Sequence, residues 1–174
     1  MRRLLLFRHA KATVATGHDD HERALIERGR HDAARIAAFL AASGLIPELI
    51  IHSGARRARE TAEIARAAWP RLVEARTEPH LYEASRHAIE AIVRALPDGC
   101  ASVMLVGHNP GLADVAHHLI GDGADFDLLR ISAKFPTAGL AALEFDVKHW
   151  RDILPGSAKL ACFATPDDPK VEKV

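Results

Sequence analysis

The chain has 174 residues, enough for one domain with a substantial core, and 48% of them are hydrophobic, which excludes a disordered chain. Twenty-three Lys and Arg balance 23 Asp and Glu, so the composition argues against a nucleic-acid or anionic-membrane surface. Arg2 and Arg3 precede only a short apolar run, Leu4 to Phe7, too brief for a signal-peptide core, and no run approaches transmembrane length. Cys100 and Cys162 are the only cysteines and read as small buried hydrophobes in a reducing compartment, so the expected location is the cytoplasm.

Leu4-Leu5-Leu6-Phe7, bounded by charge, reads as a buried strand. From Gly29 to Ser43, the residues Ala33, Ile36, Ala37 and Leu40 share one helical face, and Gly44 is a natural stop. A second strand follows at Leu49 to His52. Arg56 to Ala68 reads as a helix ended by Trp69-Pro70, with Ser53 or Gly54 near its start. Leu72 to Ala75 is a short strand candidate. Ser85 caps an expected helix from Arg86 to Leu96, where Ile89, Ile92, Val93 and Leu96 fit the period. Strand Ser102 to Val106 comes next, and Asn109-Pro110 then supplies a cap and a favoured first residue for a helix from Gly111 to Ile120. Gly139 to Phe145 and Lys159 to Phe163, separated by the Pro155-Gly156 turn, suggest a hairpin or antiparallel edge. This order predicts an α/β fold: a three-layer αβα sandwich around a mostly parallel sheet with an antiparallel edge. Residues 1–165 form a single domain in this reading, and 166–174, with Pro166, Pro169 and mixed charge, form a mobile tail.

The chemistry gathers at strand ends. Arg8-His9-Ala10-Lys11 follows the first strand directly, and the carboxyl end of a strand in an open α/β sheet is where ligands bind. Arginine there suggests an anion, because its planar fork matches phosphate oxygens. The adjacent histidine is suited to three roles: nucleophile, general base or hydrogen-bond donor. Two further segments repeat the design of strand, polar turn and helix start. Ser53-Gly54-Ala55-Arg56-Arg57-Ala58-Arg59-Glu60-Thr61-Ala62 follows Leu49-Ile50-Ile51, and Val106-Gly107-His108-Asn109-Pro110-Gly111 follows Val103-Met104-Leu105. If these strands are sheet neighbours, Arg-His, Arg and His converge on one anion.

With these three segments, the chain resembles the histidine phosphatase superfamily, the phosphoglycerate-mutase-like enzymes, and more closely its small SixA-type phosphohistidine phosphatases. Most of the superfamily has Gly where Ala10 stands. Asp20-His21-Glu22-Arg23 leading into Leu25 to Gly29, and Pro155-Gly156-Ser157, also resemble the small subfamily. The resemblance spans nearly the whole chain and implies a phosphoglycerate-mutase-like sandwich. It further implies transfer of a phosphoryl group to His9, followed by hydrolysis of the phosphohistidine, with no metal or other cofactor. Arg8, Arg57 and His108 are then the phosphate-binding side chains. Superfamily spacing from Ser53 selects Arg57 and leaves Arg56 and Arg59 to the surface or the substrate rim. Leu81-Tyr82-Glu83 resembles the segment that carries a general acid in larger relatives, which makes Glu83 the candidate acid.

A metaphosphate-like transition state asks mainly for positioning and charge stabilisation, which two arginines, a histidine and nearby helix N-termini supply. A phosphohistidine leaves as imidazole, whose proton affinity is far below that of an alkoxide, so the demand on the acid is weak. The leading expectation is therefore hydrolysis of phosphohistidine on a phosphorylated protein, such as a phosphotransfer or phosphorelay module in signal transduction. The second is a phosphatase of a small phosphomonoester, with Glu83 as working acid and a pocket walled by residues 12–24 and 78–88. The third is a phosphate- or phosphoprotein-binding module without turnover, against which an intact His9 speaks. His18, Asp19 and Asp20 lack the accompanying spacing of a zinc or magnesium site. Neither cysteine is followed by the phosphate loop and arginine of a cysteine phosphatase. Asp125-Phe126-Asp127 lacks the hydroxyl residue that a haloacid-dehalogenase-type site needs.

Overall fold

In the first strand, β1 (Arg2–Arg8), side chains alternate between two cores: Leu4 and Leu6 face one, Leu5 and Phe7 the other, and all four are fully buried. Burial of each such side chain is worth about 2 kcal/mol. A strand apolar on both faces has to lie inside a covered sheet. The computed structural model describes residues 1–15 and 19–173.

The further elements are α1 (Glu27–Ala42), β2 (Leu49–His52), α2 (Arg56–Ala67), β3 (Glu74–Thr77), α3 (Arg86–Arg94), β4 (Ser102–Gly107) and α4 (Gly111–Leu119). After these come β5 (Ile120–Gly123), α5 (Asp125–Ala133), β6 (Leu140–Phe145), β7 (Ala158–Ala164) and α6 (Pro169–Glu172). The sheet order is β3-β2-β4-β1-β6-β7-β5, with parallel pairing from β3 through β1. Helices α1, α2 and α6 pack on the face of Leu5, Phe7, Ile50 and Met104. Helices α3, α4 and α5 pack on the face of Leu4, Leu6, Leu49 and Val103. The result is the expected three-layer sandwich. Among the described residues no helix is long and apolar enough to cross a membrane.

Three features depart from the sequence reading. The antiparallel strand is β6, and it sits inside the sheet between β1 and β7 rather than at an edge. β5 and α5 were not expected: Ile120-Gly121-Asp122-Gly123 carries no apolar period, and Phe126 and Leu129 of α5 are exposed. The tail expected to be mobile from residue 166 is anchored by two buried side chains, Asp168 and Val171. Asp168 accepts from Arg130 Nη2 at 2.7 Å, and Val171 is buried in the core beside α1. Boundaries elsewhere move by a few residues. Gly44, at φ +67°, follows α1 as expected, with the Leu45 amide donating back to Leu40 at 2.8 Å.

Candidate active site

β4 lies between β1 and β2, with Arg8 level with Gly107 and His52 level with Val106, so the three strands end side by side. The His9 amide donates to the Gly107 carbonyl at 3.0 Å and the Ser53 amide to the Val106 carbonyl at 3.3 Å. These bonds carry the ladder past the strand ends and fix where the following side chains emerge. His9, Arg57 and His108 are all buried there, with Arg57 only 4% exposed.

The Nδ1–H of His9 donates to the Ala10 carbonyl at 2.8 Å. A carbonyl only accepts, so the ring proton sits on Nδ1 and the lone pair on Nε2. Burial pushes this imidazole down to about 4, assisted by the Arg57, Arg8 and Arg23 charges and opposed by the bond to Ala10. The ring is neutral at physiological pH, which nitrogen nucleophilicity requires. The His108 ring lies 5.0 Å from that of His9, centroid to centroid, tilted by 53°. Burial, then His9 and Arg57, push it down to about 3.

His108 Nε2 is 2.7 Å from Ser53 Oγ, and its Nδ1 is 3.4 Å from Arg57 Nη2. With Arg57 donating to Nδ1, Nε2–H donates to Ser53. If the Ser53 hydroxyl donates instead, the ring proton moves to Nδ1 and His108 becomes a donor alongside Arg57. Ser53, expected near a helix start, therefore does not cap α2, whose N-cap is Ala55 with no side-chain cap. Asn109 does not cap α4 either: the N-cap is Pro110, and Asn109 Nδ2 donates to the Phe135 carbonyl at 2.8 Å.

Arg8 Nη1 donates to the same Phe135 carbonyl at 2.9 Å. The Nε atoms of Arg8 and Arg57 are both buried and find no acceptor among the described residues. An unsatisfied buried N–H of a charged group is expensive, and such orphans cluster where a partner is meant to bind. Two guanidinium donors and one histidine around a neutral imidazole have the chemistry that suits a tetrahedral oxyanion.

Arg56 and Arg59 turn away, to Glu60 at 2.9 Å and Glu63 at 4.0 Å. Glu83 follows Tyr82 and bears on the Tyr82 hydroxyl by its charge. Its side chain is exposed, its backbone has φ +49°, and it lines a surface recess of about 580 Å³ with Ser85, Arg86 and Asn109. Of the residues considered for a metal, His18 lies outside the described residues. Among those described, no three His, Cys, Asp or Glu side chains gather as a metal site.

Sequence reasoning missed three members of the site. Tyr82 stands edge-on to His108, with centroids 5.5 Å apart, and its hydroxyl donates to Asp20 Oδ2 at 2.6 Å. Asp20 in turn holds the end of Arg57. Thr61 Oγ1 accepts from the Ala10 amide at 3.1 Å and donates to the Arg57 carbonyl at 2.7 Å, joining the loop after His9 to α2. Asp20 and Tyr82 lie in segments that the resemblance singled out, but one pointed to the small subfamily and the other to Glu83, neither to a partner of Arg57.

The sequence model of the histidine phosphatase superfamily (branch 1) matches residues 4–92, from β1 into α3. An uncharacterised Mycobacterium tuberculosis protein is 34% identical over 161 residues, covering 91% of this chain and 99% of its own. An Arabidopsis thaliana chloroplastic protein, also uncharacterised, is 30% identical over 180 residues, covering 95% of this chain and 78% of its own. Among solved structures, the Agrobacterium tumefaciens protein described as phosphohistidine phosphatase SixA superposes with a TM-score of 0.80 at 31% identity, over 95% of this chain and 98% of that one. With the cluster at the ends of β1, β2 and β4 standing in that fold, the chain belongs to the histidine phosphatase superfamily and is a phosphatase with a SixA-type fold.

Proposed function

We propose that the protein hydrolyses phosphohistidine on a protein substrate through a covalent phospho-His9 intermediate. The observation that carries this reading is the state of His9. Its Nδ1–H is tied to Ala10, its ring is neutral, and Arg8 and Arg57 beside it each keep a buried Nε–H without an acceptor among the described residues. Nε2 attacks phosphorus, the substrate P–N bond breaks, and the departing imidazole takes a proton from water. Arg8 and Arg57 hold the equatorial oxygens as charge spreads over them, and His108 adds a donor once Ser53 sets its proton on Nδ1. Water then attacks the P–Nε2 bond, releasing inorganic phosphate and neutral His9. No step calls for a metal or cofactor.

The leaving group favours a protein phosphohistidine over a phosphomonoester, because Glu83 is exposed and, among the described residues, joins none of the hydrogen bonds of the cluster. One fold neighbour is a protein histidine phosphatase SixA solved with tungstate, itself a tetrahedral oxyanion. The partner in this reading is a phosphotransfer or phosphorelay module, and the setting is cytoplasmic signal transduction. The second reading, a small-phosphomonoester phosphatase with Glu83 as acid, draws on the recess that Glu83 lines beside Asn109.

The test is a substrate panel setting phosphohistidine protein against phosphomonoesters, with acid-labile label sought on residue 9 after quenching. His9→Ala should abolish both turnover and labelling in a folded protein. Glu83→Gln should reduce ester hydrolysis sharply and phosphohistidine hydrolysis little. Turnover at the wild-type rate in His9→Ala would remove the nucleophile assignment. Esters turned over in preference to phosphohistidine would favour the second reading.

A further inference from the structure

Asp20 is the carboxylate in direct contact with the cluster, and by Coulomb's law alone it is out of place beside a site that must attract a phosphoryl dianion. Its geometry gives it a different meaning. A guanidinium offers two bidentate edges: the end, Nη1 with Nη2, and the side, Nε with Nη2. Asp20 takes the end of Arg57 twice over, its main-chain carbonyl accepting from Nη1 at 2.6 Å and its carboxylate from Nη2 at 3.0 Å. The side edge keeps the buried Nε that has no acceptor among the described residues, and Nη2 lies 3.4 Å from His108 Nδ1.

Asp20 is braced in its turn. The Tyr82 hydroxyl donates to Oδ2 at 2.6 Å, and Arg23 Nε donates to Oδ1 at 2.7 Å while its Nη1 reaches the Thr13 carbonyl at 2.7 Å. The bond from Tyr82 leads the influences that hold this carboxyl well below the usual range, so it is ionised whenever the enzyme works. Arg57 is also 5.8 Å from the Tyr82 ring centroid, which closes a ring of contacts from Tyr82 to Asp20 to Arg57 and back.

We propose that Asp20 is a positioning residue for the reaction: by capping the end of Arg57 it turns the side edge of that guanidinium toward the phosphoryl group on which His9 acts, and Tyr82 and Arg23 hold Asp20 to that task. The inference rests on the site binding a phosphoryl group as described above. It opposes two effects of different sign. Removing Asp20 takes away a negative charge, which tightens oxyanion binding, and it frees Arg57 to swing, which loosens it. Misplacement of a catalytic clamp by about 1 Å is worth up to a hundredfold, so loosening should win.

Tungstate binding by calorimetry separates the two in wild type, Asp20→Ala, Asp20→Asn and Tyr82→Phe. The expected result is a dissociation constant raised about tenfold in both Asp20 variants and about threefold in Tyr82→Phe. Turnover should show a lower kcat as well as a higher KM. The Arg57 Nε–H resonance, followed by ¹⁵N NMR, should move on tungstate addition in wild type and stay still in Asp20→Ala, a readout that a merely structural role would leave alone. Should Asp20→Ala fail to fold, Asp20→Asn and Tyr82→Phe carry the comparison. Unchanged or tighter tungstate binding in the folded variants would overturn the proposal. A wild-type protein that binds neither tungstate nor inorganic phosphate would instead overturn the phosphate-site reading beneath it.

Discussion

The neutral imidazole of His9 makes a prediction that pH alone tests. Its ordinary value is 6.5 and burial brings it to about 4 in the fold. At pH 5.5 an ordinary histidine is about 90% charged, whereas this one is about 3% charged. Between about pH 6.5 and 4 the unfolded chain therefore binds a proton at residue 9 that the folded chain refuses. Stability is whole above about 6.5 and is lost as pH falls through that window, by about 3 kcal/mol in all from this one ring. Urea unfolding of wild type and His9→Gln at pH 7 and pH 4.5 isolates the effect. Wild type should lose about 2–3 kcal/mol more than the variant on acidification, since the variant has nothing to titrate at that position. Nitrogen-15 shifts of the ring should show Nδ1 protonated and Nε2 bare down to about pH 5. Equal acid losses in the two proteins, or a ring that charges above pH 6, would refute the burial argument and with it the account of how the nucleophile is kept ready.

Ser53→Ala removes the hydroxyl that fixes the His108 tautomer, and kcat/KM should fall about tenfold with little change in fold, read by steady-state kinetics beside near-ultraviolet circular dichroism. At Gly29 an added Cβ would sit 2.0 Å from the carbonyl oxygen of Lys11, two residues beyond His9. Gly29→Ala should therefore lower stability by about 2 kcal/mol and lower turnover further than that loss accounts for, with denaturant midpoints and kcat measured on one preparation. Arg130→Ala breaks the bonds to Asp168 and Thr165 and should release α6, making the end of the chain protease-sensitive while activity persists.

Most of the fold is legible because strands apolar on both faces, such as Leu49 to His52 and Val103 to Val106, can only be central, and the helices between them keep their period. β5 and α5 escape because their register comes from neighbours. Ile120 and Gly123 pair with Ala158 and Leu160 of β7, and Asp127 of α5 accepts from the Phe163 amide at 3.1 Å. Neither partner is near in sequence. In the site, His9 and His108 announce themselves because each follows a strand directly, and Arg57 because it stands at the start of the helix after β2. Ser53 looked like a cap because hydroxyls at helix starts usually are one, yet the same hydroxyl is drawn to a buried ring nitrogen that has greater need of it. Tyr82 and Asp20 sit in loops, where sequence says nothing about direction, and only the folded chain reveals that they meet each other on the end of an arginine.

The placement of β1 sets a timetable for synthesis. β1, which leads into His9, is made before both of its neighbours: β4, finished at Gly107, and β6, finished at Phe145. The carbonyl that anchors Arg8 and Asn109 belongs to Phe135. β1 is therefore flanked on both sides only once Phe145 has been made, and a chain cut short of β4 lacks His108.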